Sequence, residues 1–244
     1  MNLDFSDDQK FLQDEARKFF DKEGGLTNTR KVMDESLSHD EALWGKVLEL
    51  GWTGIRIPEE YDGLGLGHLE LCVIAEEIGR ALAPIPFSSS VYLFTETIIK
   101  YGSEEIKKNV LPKLVTGEIV GTYAVAEDMS AITESTLSCA VEGDSVTGAK
   151  IAVPDAELAT HAVVLVKGTK GPELRLVDLN SDGVEISLQK NLDKSRSFYK
   201  VAFNNAQSSL LGDQGSGWES HVHIMDQAAV LFAFEQVGGS QQAL

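Results

Sequence analysis

Only two cysteines, Cys72 and Cys139, occur in the 244 residues, and they fall in runs that read as an apolar helix and a strand. Two thiols so far apart make no disulfide framework and point to reduced core residues. Cations are scarce as well, with 21 Lys and Arg against 38 Asp and Glu, a formal net charge of −17. That balance argues against nucleic acid and against an anionic membrane surface, because both would repel the chain and no Lys/Arg cluster stands out along it. No window approaches the apolar run of roughly 20 residues that a membrane span needs. The stretch from Met1 to Arg17 alternates charged and apolar residues and has no signal-peptide core. The expectation is a cytoplasmic protein with no membrane partner.

What is present is the composition of an ordinary globular protein. Hydrophobic residues make up 43% of the chain, which is enough to bury at least one sizeable core and leaves room for two. Helical spacing of Phe11, Leu12, Ala16, Phe19 and Phe20 predicts a helix over Asp7–Glu23, and Ser6 followed by Gln9 supplies a capping box. Trp44, Val47, Leu48 and Leu50 predict a second helix from Asp40, stopped at Gly51. A glycine-rich turn, Gly63 to Gly67, opens into a long apolar helix from His68 to Leu82, and two more helices are expected over Ser90–Tyr101 and Ser103–Thr116.

At about Val120 the period changes. Seven short β-rich runs follow, at Thr122–Ala126, Ser138–Val141, Ser145–Val153, Ala162–Val166, Leu174–Asp178, Val184–Leu188 and Tyr199–Phe203. Gly, Asp, Asn and Pro separate them, and they predict a small antiparallel sheet or barrel. After Gly215 the helical period returns from Trp218 to Leu244, with Gly238-Gly239 marking a place where another backbone can approach closely. The expected class is α+β, in three parts: a helical domain over residues 1–119, a β domain over 120–212, and the first helix of an incomplete second helical domain over 213–244. Val230, Leu231, Phe232, Phe234 and Val237 on that last helix predict an apolar face buried in an oligomer or against chain beyond Leu244.

The run Ile57-Pro58-Glu59-Glu60-Tyr61-Asp62-Gly63-Leu64-Gly65-Leu66-Gly67, then Ala75-Glu76-Glu77-Ile78-Gly79-Arg80-Ala81-Leu82-Ala83-Pro84, resembles the N-terminal helical domain of the acyl-CoA dehydrogenases. Tyr101-Gly102-Ser103-Glu104-Glu105-Ile106-Lys107, Leu111-Pro112-Lys113-Leu114, Leu210-Leu211-Gly212 and Glu235-Gln236-Val237-Gly238-Gly239 continue the resemblance in order along the whole chain. The family's usual C-terminal helical bundle is not within these residues. The resemblance implies FAD as cofactor, an acyl-CoA thioester as substrate, and α,β-dehydrogenation with hydride passing to the flavin. It also implies electron-transferring flavoprotein as acceptor and a homo- or hetero-oligomer as the working form.

Carried over residue by residue, the family's flavin-contacting strand falls on Tyr123, Val125 and Ala126, where the usual threonine hydroxyl is absent at Ala126 and the glycine loop after it is lost. The Trp-x-Thr motif that follows a Lys falls on Ala152 and Pro154 after Lys150, and Val153-Pro154-Asp155-Ala156 is similar to a branch that includes actinobacterial steroid-degrading enzymes. Ser130 and Asp226 take the substrate-binding positions, with Ala229 where an Arg would pair with that acid. The catalytic glutamate of most members lies beyond these residues; the alternative slot of a minority, four residues after Ile224, is Ala228. No catalytic residue is therefore assigned, and Glu235 is expected to be a hydrogen-bonded core residue.

Other attractive residues carry less. His221 and His223 lie about 200° apart on a helix and make no i, i+4 metal pair, so they are expected to pack in the core or at the surface, as are His39, His68 and His161. Trp44, Trp52 and Trp218 read as core or interface residues. Gly63, Gly65 and Gly67 lack the strand before and the Lys-Ser/Thr after that a phosphate loop requires. Two functions stay open: a flavoprotein subunit that dehydrogenates acyl-CoA, and a non-catalytic structural subunit paired with an active homologue.

Overall fold

The computed structural model describes residues 4–244. Helix α1, Asp7–Glu23, starts where Gln9 N–H donates to Ser6 Oγ at 3.2 Å and Ser6 N–H donates to Gln9 Oε1 at 2.9 Å, the reciprocal cap that the sequence implied. It lays Ala16 and Phe20 against α4, His68–Ala81, whose residues Leu71 to Ile78 are all buried. Between them lie α2, Leu26–Glu35, and α3, Glu41–Glu49, the latter capped by Asp40. No helix was expected at α2, in which only Thr29 and Val32 are buried.

Glu77 sits fully buried in α4 and is neutralised by Arg17 and Arg80, each 2.7 Å away. A buried carboxylate without such partners would cost several kcal/mol. The segment expected as one helix over Ser90–Tyr101 is a π-helical stretch, Ser88–Thr95, running into α5, Glu96–Tyr101. Helix α6, Glu104–Thr116, then leads to the strands. In the Gly63–Gly67 turn the backbone consumes its own donors, with Gly65 N–H on Ile57 O and Leu66 N–H on Ile55 O, both at 2.9 Å, so no phosphate cradle forms.

Seven strands follow: β1 Gly121–Ala124, β2 Ala140–Glu142, β3 Ser145–Pro154, β4 His161–Gly168, β5 Gly171–Asp178, β6 Val184–Gln189 and β7 Phe198–Leu211. The pairings β4–β2–β3–β7–β5 return to β4, closing a barrel, with β1 beside β4 and β6 beside β7. The expected antiparallel sheet is corrected in one respect, because β1–β4 and β2–β4 are parallel pairs and the sheet is mixed. The β2–β3 hairpin lies between β1 and β4 in sequence, and such an excursion brings the chain back in the same direction. Strand β7 also runs much further than the expected Tyr199–Phe203; Asn204, Asn205, Gln207, Ser208 and Ser209 face outward or sit at a bulge and hide its alternation.

Strand β4 is buried on both faces. Ala162, Val164 and Val166 fill the barrel with Val146, Val201 and Phe203, while Val163 and Leu165 join the helical core through Ile224, Ala228 and Leu231 of α7, Gly217–Ala243. Helix α7 crosses α4 at backbone contact: a Cβ on Gly238 would lie 1.9 Å from Glu76 O, and one on Gly79 would lie 2.0 Å from Glu235 O. This is the close approach that Gly238-Gly239 implied.

The five apolar residues of α7 do not share one face. Leu231 is buried, Phe232 stacks edge-on against Tyr92 and Phe234 is half-buried, whereas Val230 and Val237 are exposed with Val222 and Met225. Among the described residues no helix is long and apolar enough to cross a membrane.

Candidate functional site

Strand β1, the bulged end of β3 and the first turns of α7 meet at Tyr123. Its ring is buried and stacks on His221 at 5.9 Å and 19°, with Tyr123 Oη 3.2 Å from His221 Nδ1, and Trp218 packs on the same imidazole. Burial pushes the Tyr123 phenol well above its ordinary value. His221 is pushed down to about 4, chiefly by burial, with the Lys150 charge adding to the effect. His221 is therefore neutral at physiological pH, and its Nδ1 can accept the tyrosine proton.

Behind the strand lies a second polar group. Lys150 points into the barrel from β3, fully buried, and its Nζ donates to Glu127 Oε1 at 2.7 Å and to Val125 O at 3.0 Å. Glu127 also accepts from Ser138 N–H at 2.7 Å, from Ser138 Oγ and from Cys139 N–H at 3.1 Å. Burial alone would raise the carboxyl, but Lys150 and Ser138 hold it below the usual range. Burial depresses Lys150 against the pull of Glu127 and lifts Cys139 to about 11, which leaves that thiol protonated.

The residues singled out from the sequence are placed as follows. Val125 and Ala126 lie just beyond the end of β1, half-buried, with Val125 O taken by Lys150 and Ala126 O accepting Ile151 N–H at 2.8 Å. Ala152 sits at φ +50, a left-handed conformation unusual outside glycine, where the β3–β7 register slips, and its N–H donates to Gln189 Oε1 at 2.6 Å. Pro154 O accepts from Thr122 Oγ1 at 2.5 Å. Tyr123, Val125, Ala126 and Pro154 are thus brought together along the β1–β3 seam. Ser130 is exposed and turned onto Asp128, and Asp226 is exposed on the outer side of α7 near Ala229.

A bound flavin would need donors, acceptors and an open slot along this seam. The main-chain groups named above are engaged within the chain, Ala126 and Ala152 carry no polar side-chain atom, and the cavity beside Val125 and Glu127 measures about 10 Å³. That holds about one water. The residues present do not fit a flavin from this side.

On α7, Ala228 is fully buried against the core and offers no base. Glu235 is half-buried beside Tyr92 and Arg196, and burial raises its carboxyl while both neighbours pull it down. The sequence reading discounted His221, and the sole signal for it was its position one turn past Trp218, facing back toward β1. Lys150 and Glu127 were legible only as motif positions, although Val146 and Lys150 share the inward parity of β3. Among the described residues no group of three His, Cys, Asp or Glu side chains could hold a metal.

Residues 6–118 match the family model for the acyl-CoA dehydrogenase N-terminal domain. The mitochondrial isovaleryl-CoA dehydrogenase of Solanum tuberosum is 29% identical over 262 residues, covering 100% of this chain and 63% of the relative. The chain therefore spans under two thirds of the length of that curated relative. Among solved structures, the Tcur3481–Tcur3483 steroid ACAD is 27% identical with a TM-score of 0.82, over 97% of this chain and 64% of that one. The acyl-CoA dehydrogenase complexed with FAD from Bacillus anthracis is 25% identical with a TM-score of 0.86, over 98% and 44%.

Proposed function

Because the chain belongs to the acyl-CoA dehydrogenase family, we propose that it is a subunit of an oligomeric FAD-dependent oxidoreductase that α,β-dehydrogenates an acyl-CoA thioester, and that residues 4–244 contribute scaffold to it. The acyl-CoA class follows the isovaleryl-CoA relative, and FAD follows the Bacillus anthracis neighbour. The observation that carries the scaffold role is the β1–β3 seam, where Val125 O, Ala126 O and Ala152 N–H are each bonded inside the chain. With Ala228 buried and apolar, the proton-abstracting carboxylate comes from outside these residues.

We keep the division at residues 119 and 212, a cytoplasmic location, and electron-transferring flavoprotein as acceptor as parts of this proposal. The outer strip of α7, with Val222, Met225, Val230 and Val237 exposed, is the surface on which further helices would pack, whether from a second copy or a homologue. Ser130 and Asp226 would meet a CoA ester only once such a partner covers them.

A second reading is favoured by the same seam: a non-catalytic structural subunit of a mixed oligomer that holds no flavin of its own. Steady-state assays with a dye acceptor across acyl-CoA chain lengths test what the two readings share, that these residues hold no catalytic base. The chain alone is expected to show no turnover; turnover above the free-flavin background would place a base within these residues, with Glu235 the first to replace.

A further inference from the structure

The sequence shows no basic cluster, yet folding assembles one. The loop between β6 and β7 carries Lys190, Lys194 and Arg196 along one wall of a cleft of about 380 Å³, and α2 with the turn after it supplies Met33 and Leu37 opposite. Leu188, itself 69% exposed, completes an apolar floor. A second cavity, of about 600 Å³ between α2 and α3, meets the cleft at Leu37. Both volumes fall in the range of roughly 300–1,000 Å³ that small-molecule sites occupy.

The loop is built to hold this arrangement. Asn191 Nδ2 donates to Arg196 O at 2.9 Å, and the loop's own carboxylate, Asp193, is occupied by Ser195 N–H at 2.8 Å and Ser195 Oγ at 2.6 Å. Arg196 is fixed by donating to Ser88 Oγ at 2.9 Å. No ion pair forms on Lys190 or Lys194 among the described residues, although the chain carries 38 carboxylates and a net charge of −17. Arg196 itself turns inward to Ser88, Asp155 and Glu235, and the two unpaired ammonium groups over exposed Met33, Leu37 and Leu188 match a ligand that is anionic at one end and apolar at the other.

We propose that the cleft between α2 and the β6–β7 loop binds an amphipathic oxyanion, its carboxylate or phosphate head on Lys190 and Lys194 and its apolar portion on Met33, Leu37 and Leu188. The site is separate from the β1–β3 seam and stands whether or not the chain belongs to a flavin-dependent assembly.

Calorimetric titration of the whole chain with octyl phosphate, octanoate, inorganic phosphate and octyltrimethylammonium tests it. Octyl phosphate or octanoate binds one per chain, more tightly than inorganic phosphate, and weakens with added salt; whichever of the two binds better identifies the head group. The double variant Lys190→Glu/Lys194→Glu, in exposed loop positions, weakens that binding by about tenfold or more. Leu188→Ser weakens the octyl ligands without changing inorganic phosphate. Equal affinity for octyl phosphate and inorganic phosphate, binding of the octyl cation, or binding indifferent to the lysine reversal with unchanged far-ultraviolet circular dichroism would each overturn the proposal.

Discussion

His221 offers the sharpest perturbation of the seam. Its imidazole is pushed from its ordinary 6.5 to about 4 by burial against Tyr123 and Trp218, with the Lys150 charge assisting. Above pH 6.5 the ring is neutral in folded and unfolded chains alike, and nothing is lost. As pH falls from 6.5 toward about 4, the unfolded chain takes up a proton that the folded chain refuses, so stability falls through that window. At about 1.4 kcal/mol per tenfold, the gap is worth at most about 3 kcal/mol, most of it spent by about pH 4.5. Replacing the ring by His221→Phe keeps the stack on Tyr123 and removes the proton site. Urea unfolding at about pH 7.5 and about pH 4.5 on both proteins isolates the effect, since half-buried acids such as Glu235 titrate equally in each. The variant should lose about 2–3 kcal/mol less than the parent on acidification. Identical pH dependence in the two would mean that His221 is solvated and that the seam is open.

Two further substitutions test other parts of the account. Lys150→Met leaves Glu127 without its buried cation and should cost about 3–5 kcal/mol in chemical denaturation, while adding Glu127→Gln should recover part of that loss. Additive costs would show that the pair is not coupled. Gly238→Ala drives a methyl to 1.9 Å from Glu76 O and should cost about 1–3 kcal/mol, although alanine is the better helix former by about 1 kcal/mol; an unchanged melting temperature would contradict the α4–α7 contact.

The sequence shows the elements where an apolar stripe or a continuous apolar run dominates, as in α1, α4 and β4. It conceals them where burial is thin or the alternation is interrupted. Helix α2 buries little more than Thr29 and Val32, and β7 buries alternate residues only until Asn205 interrupts it. Parallel pairing of β1 with β4 is invisible locally, because direction depends on the path of the β2–β3 hairpin between them. The seam was half legible: motif positions pointed to Tyr123, Val125, Ala126, Ala152 and Pro154. What closes it comes from residues distant in sequence, His221 across 98 positions and Gln189 across 37. The cationic cleft failed to show for the same reason, since its apolar wall is contributed by α2.

The central claim is that this chain, by itself, has no flavin place along β1 and β3. Absorbance near the flavin bands measures it directly, on the chain purified alone after saturation with FAD and desalting, and again after co-expression with an active homologue from the same host. The account predicts a colourless chain alone, and in the mixed assembly fewer flavins than chains. Retention of one FAD per chain by the isolated protein would contradict it.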